Sequence, residues 1–236
     1  MSLSTLTKKH IMSSFKEMAS ERPFFRITVL NIADYSGINK NTFYYHFEDK
    51  SDLIRSIFRV DLGSILHENF DKKDLVYPED QNDKYSELPF YINARNPEAC
   101  LDCSPFFVCL SDYLLENVAY YSNIFCSEKP DGLKFYFHNL YLGEMRKDIL
   151  YALGNWHLPE ADIDFLAQYF TSASFDFYFS SIPNKQKSYK FPGIEGVYNN
   201  ITHNLMKSFI EFRTSADYPF GKNSFAFVSD LEDTCR

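Results

Sequence analysis

The stretch Ile32-Ala33-Asp34-Tyr35-Ser36-Gly37-Ile38-Asn39-Lys40-Asn41-Thr42-Phe43-Tyr44-Tyr45-His46-Phe47 has the internal logic of two short helices crossing at a tight turn. Helices that cross closely need a small residue at the crossing, and Ala33 stands there. Four residues on, the chain must turn with φ > 0, which Gly37 adopts without steric cost. Ile32, Ile38, Phe43 and Phe47 are left to face a core. The remaining face of the second helix is Asn39, Lys40, Asn41, Thr42, Tyr44, Tyr45 and His46. It is polar and aromatic, a set suited to hydrogen bonding with base edges and phosphates.

The flanks extend the pattern. Residues 7–21 place Ile11, Phe15 and Met18 on one helical face, and Pro23 closes that helix. Thr28 is predicted to cap a short helix reaching about residue 35, its hydroxyl accepting an otherwise orphan backbone N–H. Asp49 caps a longer one over 50–70, whose stripe is apolar apart from Asp61. Residues 71–99 are polar, acidic and proline-punctuated, and read as a loop with one helical turn at most. Ser104-Pro105 opens a helix to about residue 125. Further helices are expected to run to about 153, over 159–182 and over 194–212, with a basic, polar linker at 183–192. The last has apolar residues at 194, 197, 201, 205, 209 and 212, a continuous stripe. Residues 214–236 show no strong period.

These elements predict an all-α fold: an N-terminal three-helix helix-turn-helix DNA-binding domain, then a helical ligand-binding and dimerisation domain. The expected boundaries are 1–60 for the first, with its motif at 28–47, 61–213 for the second, and 214–236 for a tail.

Charge sharpens this division. The whole chain carries a net −8, which at first argues against a nucleic-acid partner. Residues 1–60, however, hold nine Lys/Arg against six Asp/Glu, and the other 176 hold fifteen against twenty-six. A basic head on an acidic body directs only the head toward phosphate. No stretch approaches the ~20 uncharged apolar residues that span a bilayer. No secretory h-region is visible, since Lys8, Lys9 and Lys16 interrupt the N-terminus. The expected location is therefore cytoplasmic, with no membrane partner.

Five cysteines, an odd count, fit a reducing compartment. Cys100-Leu101-Asp102-Cys103 is a lone C-x-x-C without a second ligand pair for zinc or a βαβ setting for redox work, so no metal is expected. Asn200-Ile201-Thr202 fits a glycosylation sequon but needs secretion to matter.

The residues Ile27-Thr28-Val29, Ile32-Ala33, Gly37-Ile38, Thr42-Phe43-Tyr44-Tyr45-His46-Phe47, Asp49-Lys50 and Asp52-Leu53-Ile54 together resemble the N-terminal signature of TetR/AcrR transcriptional regulators. The likeness covers about residues 7–60. Farther along, Tyr113-Leu114-Leu115-Glu116-Asn117 loosely resembles the branch that includes the dihydroxyacetone kinase activator. The resemblance implies that Thr28 binds phosphate through its hydroxyl and the adjacent helix N–H groups. It implies that Asn39, Lys40, Asn41 and Thr42 open a recognition helix, with Asn41 toward adenine and Lys40 toward guanine. Tyr44 and His46 would grip the backbone, Tyr45 would face the groove, and Lys50 would add a phosphate contact. It further implies a homodimer formed by helices 159–182 and 194–212 on a palindromic double-stranded DNA operator. Ligand binding in the body would then respace the two heads and release DNA. Repression is the more common sign in the family. The alternative is an activator or co-regulator controlled by a protein partner.

The body holds 14 Tyr, 18 Phe and one Trp in 176 positions. Such aromatics fill a helical core and a dimer interface. They could also line an apolar pocket for a small apolar or aromatic effector, with Phe107, Phe137, Tyr141 and Phe170 as candidates. His138, Asn139, Asn155 and His157, with Tyr141, could supply polarity there. An enzyme is not expected. G-x-S-x-G, H-E-x-x-H and G-x-G-x-x-G are absent. Phe220-Gly221-Lys222-Asn223-Ser224 fails as a P-loop because Ala216 stands where the first glycine belongs. No cofactor is expected. An architectural DNA binder without an effector is a third class.

Overall fold

The computed structural model describes residues 3–93, 104–126, 132–153, 158–183 and 208. Among these residues the fold is all-α with one small two-stranded sheet. Helix α1 (Leu3–Glu21) begins four residues before the start expected at residue 7, and buries Ile11, Met12, Phe15, Met18 and Ala19. After Pro23 a single 3-10 turn, Phe24–Arg26, leads to α2 (Val29–Tyr35). Thr28 caps α2 in a reciprocal box: its hydroxyl accepts the Asn31 N–H at 3.1 Å, and Asn31 Oδ1 accepts the Thr28 N–H at 3.0 Å.

The turn that follows is a Schellman motif. Ile38 N–H donates to Ala33 O at 3.0 Å and Gly37 N–H to Asp34 O at 3.2 Å, with Gly37 at φ +64°. A Cβ at Gly37 would meet nothing within 4 Å, so the glycine is needed for its backbone angle rather than for space. Helix α3 (Lys40–His46) is capped by Asn39, whose Oδ1 accepts the Thr42 N–H at 2.8 Å. Helix α4 (Lys50–Asn69) is capped by Asp49, whose Oδ1 accepts the Asp52 N–H at 2.7 Å.

Residues 71–93 contain the expected helical turn, at Lys72–Asp74, and also a ladder the sequence did not announce. Strand β1 (Leu75–Val76) pairs antiparallel with β2 (Tyr91–Ile92), Leu75 opposite Ile92 and Val76 opposite Tyr91. Two-residue strands are too short to show alternation. Between them the chain returns along α4 as a strap. Lys84 forms an ion pair with Asp52, Tyr85 OH meets Ser56 Oγ at 2.9 Å, and Leu88 O accepts from Arg59 Nη2 at 2.7 Å. At Gly63 an added Cβ would lie 3.3 Å from Leu88, so the strap is seated closely.

The single helix expected over 104–125 is two, α5 (Ser104–Glu116) and α6 (Val118–Phe125). They divide at Asn117, at φ −108° and ψ 29°, whose side-chain amide donates to Tyr113 O at 2.8 Å. An amide that competes for backbone carbonyls favours such a break. Helix α7 (Leu133–Leu153) and α8 (Glu160–Ser181) run antiparallel, with Phe137 against Phe179 at one end and Arg146 paired to Glu160 and Asp164 at the other.

One core cluster runs from Ile11 and Phe15 through α4 to the aromatics of α5–α8, so the head and body share buried surface. A second cluster, Met145, Ile149, Leu153, Ile163, Leu166, Ala167 and Phe170, joins the far ends of α7 and α8. The expected helix 194–212, the 214–236 tail, the Cys100/Cys103 pair, Asn155 and His157 lie outside the described residues, apart from Ser208 in that helix.

Candidate nucleic-acid interface

The caps and turn described above hold α3 by its inner face. Phe43 and Phe47 are buried at 0% and 1% exposure, their rings 5.7 Å apart. His10 of α1 braces the turn, its Nε2 donating to Ser36 O at 3.1 Å. With both faces of the turn secured, the outer side of α3 is fixed in orientation.

That outer side presents Asn39, Lys40, Asn41, Tyr44 and Tyr45 as exposed residues, with Thr42 and His46 half-buried. Tyr45 is 77% exposed and Tyr44 49%, unusual for large aromatics without a partner surface. Lys40 Nζ lies 5.6 Å from the Tyr44 ring centroid, and Tyr45 and His46 meet edge-to-face at 4.9 Å. The caps constrain two members. Asn39 Oδ1 is taken by the N–H and hydroxyl of Thr42, so Asn39 offers its NH2 outward. The Thr28 hydroxyl is likewise engaged with Asn31, while the residue itself stays exposed at the start of α2.

Lys50 is placed differently from the free phosphate-binding lysine expected for it. Its ammonium turns inward, donating to the carbonyls of Phe24 and Ile27 and lying 4.3 Å from the Phe24 ring centroid. Phe24 O already accepts the Ile27 N–H at 3.1 Å within the 3-10 turn, and the lysine adds a second donor to it while also capping Ile27 O. Lys8 of α1 lies 5.6 Å over the Phe47 ring and makes no ion pair among the described residues. Burial and then Lys84 hold its pKa below the ordinary lysine value, opposed by Asp52. His46 is held below 6.5 by burial and then by Lys8. Lys8 thus lies close enough to both His46 and Lys84 for its charge to bear on each. Only its spacing from Phe47 in space, not in sequence, reveals Lys8.

In the body, Phe107, Phe137 and Tyr141 meet around Phe175, at 6.0, 5.7 and 4.5 Å between centroids. Phe170 does not join them. It belongs to the second cluster with Met145 and Ile149, because it lies a turn and more from Phe175 toward the far end of α8. His138 is half-buried and Asn139 exposed. A cavity of about 330 Å³ opens elsewhere, beside the β ladder, bordered by Leu75, Tyr77, Ile92, Glu144, Lys147 and Asp148. No helix among the described residues is long and apolar enough to cross a membrane.

Residues 11–57 match the family model described as bacterial regulatory proteins, tetR family. The HTH-type dhaKLM operon transcriptional activator DhaS of Lactococcus lactis is 30% identical over 71 residues, which cover 30% of this chain and 38% of that protein. The chain therefore aligns with about two-fifths of that relative's length. A solved structure of a dihydroxyacetone kinase operon activator DhaS superposes with a TM-score of 0.46 at 19% identity, over 88% of this chain and 97% of the other. The family model and the curated relative both describe transcriptional regulators, and neither is an enzyme.

Proposed function

We propose, on the premise that residues 11–57 are a tetR-family DNA-binding domain, that the chain regulates transcription by seating α3 in the major groove of a pseudo-palindromic operator. The observation that carries this is the exposed polar and aromatic face of α3, held rigid by caps at Asn39 and Thr28 and by buried Phe43 and Phe47. Lys40 and Asn41 lie at its open N-terminal end. Each good bidentate base contact is worth about 1–3 kcal/mol of discrimination. Tyr44, Tyr45, Thr42 and His46 extend the face, and Asn39 and Thr28 approach phosphate at the two helix starts. Lys8 takes the phosphate role first given to Lys50.

One head covers a half-site, so a two-fold dimer is part of the reading. It is supported by Phe165 and Tyr169 on α8, stacked at 6.1 Å and 47% and 54% exposed. The partner helix 194–212 is inferred from its stripe alone. An effector bound in the body then shifts the heads. Repression is the first reading. The DhaS relative is named a transcriptional activator, which keeps activation through a protein partner as the second.

Gel shifts against the DNA upstream of the chain's own gene test the proposal. Wild type should give a discrete, competitor-resistant complex, and Tyr44→Ala should lose it. Equal, non-specific binding by both proteins would sink it. A reporter fused to the same DNA, measured with and without the gene, gives the sign.

A further inference from the structure

Arg59 is the largest fully buried side chain among the described residues, at 0% exposure. A guanidinium stays charged in any protein, so it is a cation removed from water. Buried charges are normally paired with an opposite charge. Among the described residues Arg59 has no carboxylate within ion-pair distance. Its hydrogen bonds go to neutral groups: Nη2 donates to Leu88 O at 2.7 Å and Nη1 to Tyr136 OH at 3.3 Å. Its central carbon lies 5.0 Å from the Tyr85 ring centroid and 5.2 Å from that of Phe90. Nε–H, buried, has no partner among the described residues.

A second buried donor lies by the same ring. Tyr141 OH also lacks a hydrogen-bond partner among the described residues, and the Tyr141 ring is 6.0 Å from Phe90. The Arg59 charge acts on the hydroxyls of both Tyr136 and Tyr141. Apolar walls complete the surroundings. Phe106, Phe137 and Phe175 ring Tyr141 at 5.4, 6.0 and 4.5 Å.

Holding the strap explains the bond to Leu88 and the packing on Tyr85 and Phe90. It does not explain a charge, since an apolar side chain of similar volume would pack there without the desolvation cost of an unpaired ion. Two unspent donors and one uncompensated cation, set among aromatic rings, describe a receptor for an anion with an apolar body. We infer that Arg59 and Tyr141 form a binding site for a small carboxylate whose hydrocarbon or aromatic part lies against Phe90 and Phe106.

This deepens the effector part of the function proposed above and corrects its chemistry, from an apolar ligand to an anionic one. It also places the ligand on α4, the helix whose N-terminus belongs to the DNA-binding head. The site is read without DNA, so its failure leaves the operator proposal standing.

The experiment is titration calorimetry on the full chain with benzoate, uncharged benzamide and inorganic phosphate as probes. Benzoate should bind and raise the melting temperature, with benzamide and phosphate each at least tenfold weaker. Arg59→Met should lose benzoate binding at least tenfold, and Tyr141→Phe should weaken it severalfold. If Arg59→Met does not fold, Tyr141→Phe and the Arg59 Nε–H resonance of the wild type decide, since that signal must shift on adding benzoate. Absence of benzoate binding, equal binding of benzamide or phosphate, or an unmoved Nε–H signal overturns the site.

Discussion

At position 50 the ammonium group lies over Phe24 and answers the carbonyls of Phe24 and Ile27, whereas Lys8, from a different helix, stands beside His46 with no ion pair among the described residues. The two lysines therefore fail in different ways. Lys50→Met should destabilise the chain by about 1.5–3 kcal/mol in urea unfolding, the range for a hydrogen bond to a charged group. It should leave the salt dependence of DNA binding unchanged. Lys8→Ala should do the reverse, lowering the slope of log affinity against log salt by about one with little change in stability. His46 adds a pH dependence. Burial and Lys8 hold it neutral near pH 7 in the free chain, below its ordinary 6.5. With the folded value depressed, the folded chain takes up fewer protons than the unfolded, so this group costs stability as pH falls through 6.5. A phosphate beside it reverses the balance and binding takes up a proton. DNA affinity should rise from pH 7.5 to 6, and His46→Gln should flatten that rise. Residue types along α3 were legible in sequence because each spacing has one helical meaning. The direction of Lys50 was not, because it depends on carbonyls 23 and 26 residues away.

At the scale of elements, the capped starts of α2 and α4 were readable from Thr28 and Asp49, since a cap is a local contract between neighbours, whereas Asn39, expected inside α3, is its cap. The division at Asn117 was not readable, although its amide bond to Tyr113 O is local. Nor were the β ladder and the strap, which depend on what α4 and α7 present to them. Asp61 shows the same limit: it was visible as the one polar break in the α4 stripe, yet its partners are distant. Its Oδ2 accepts from Lys16 Nζ at 2.6 Å and Tyr113 OH at 3.1 Å, and Tyr113 meets Tyr121 OH at 2.5 Å. This network joins α1 and α4 of the head to α5 and α6 of the body. Burial first, and then neighbouring Tyr121 and Asp61, push the Tyr113 hydroxyl well above its usual value, so it remains a donor. Asp61→Ala should cost about 1–3 kcal/mol by leaving the Tyr113 hydroxyl without its acceptor. Lys16→Met should cost less than about 1 kcal/mol, since its end of the pair is partly exposed. Urea melts of the two variants check the order, and equal losses would contradict it.

In the whole molecule, the acidic body and basic head share one buried core, to which α3 contributes Phe43 and α4 contributes Leu53, Phe58 and Leu62. The division of charge and the all-α architecture could be read from the sequence. The grouping of Phe107, Phe137 and Tyr141 apart from Phe170 could not, because aromatic content says how much core there is and not how it is partitioned. The central claim is that α3 reads base edges as one half of a two-fold pair. Selection of bound sequences from random duplex DNA, by wild type and by Asn41→Ala, tests it most directly. Wild type should return an inverted repeat, and the variant the same repeat with one symmetric position relaxed. No shared motif, or an identical motif from both proteins, would contradict it.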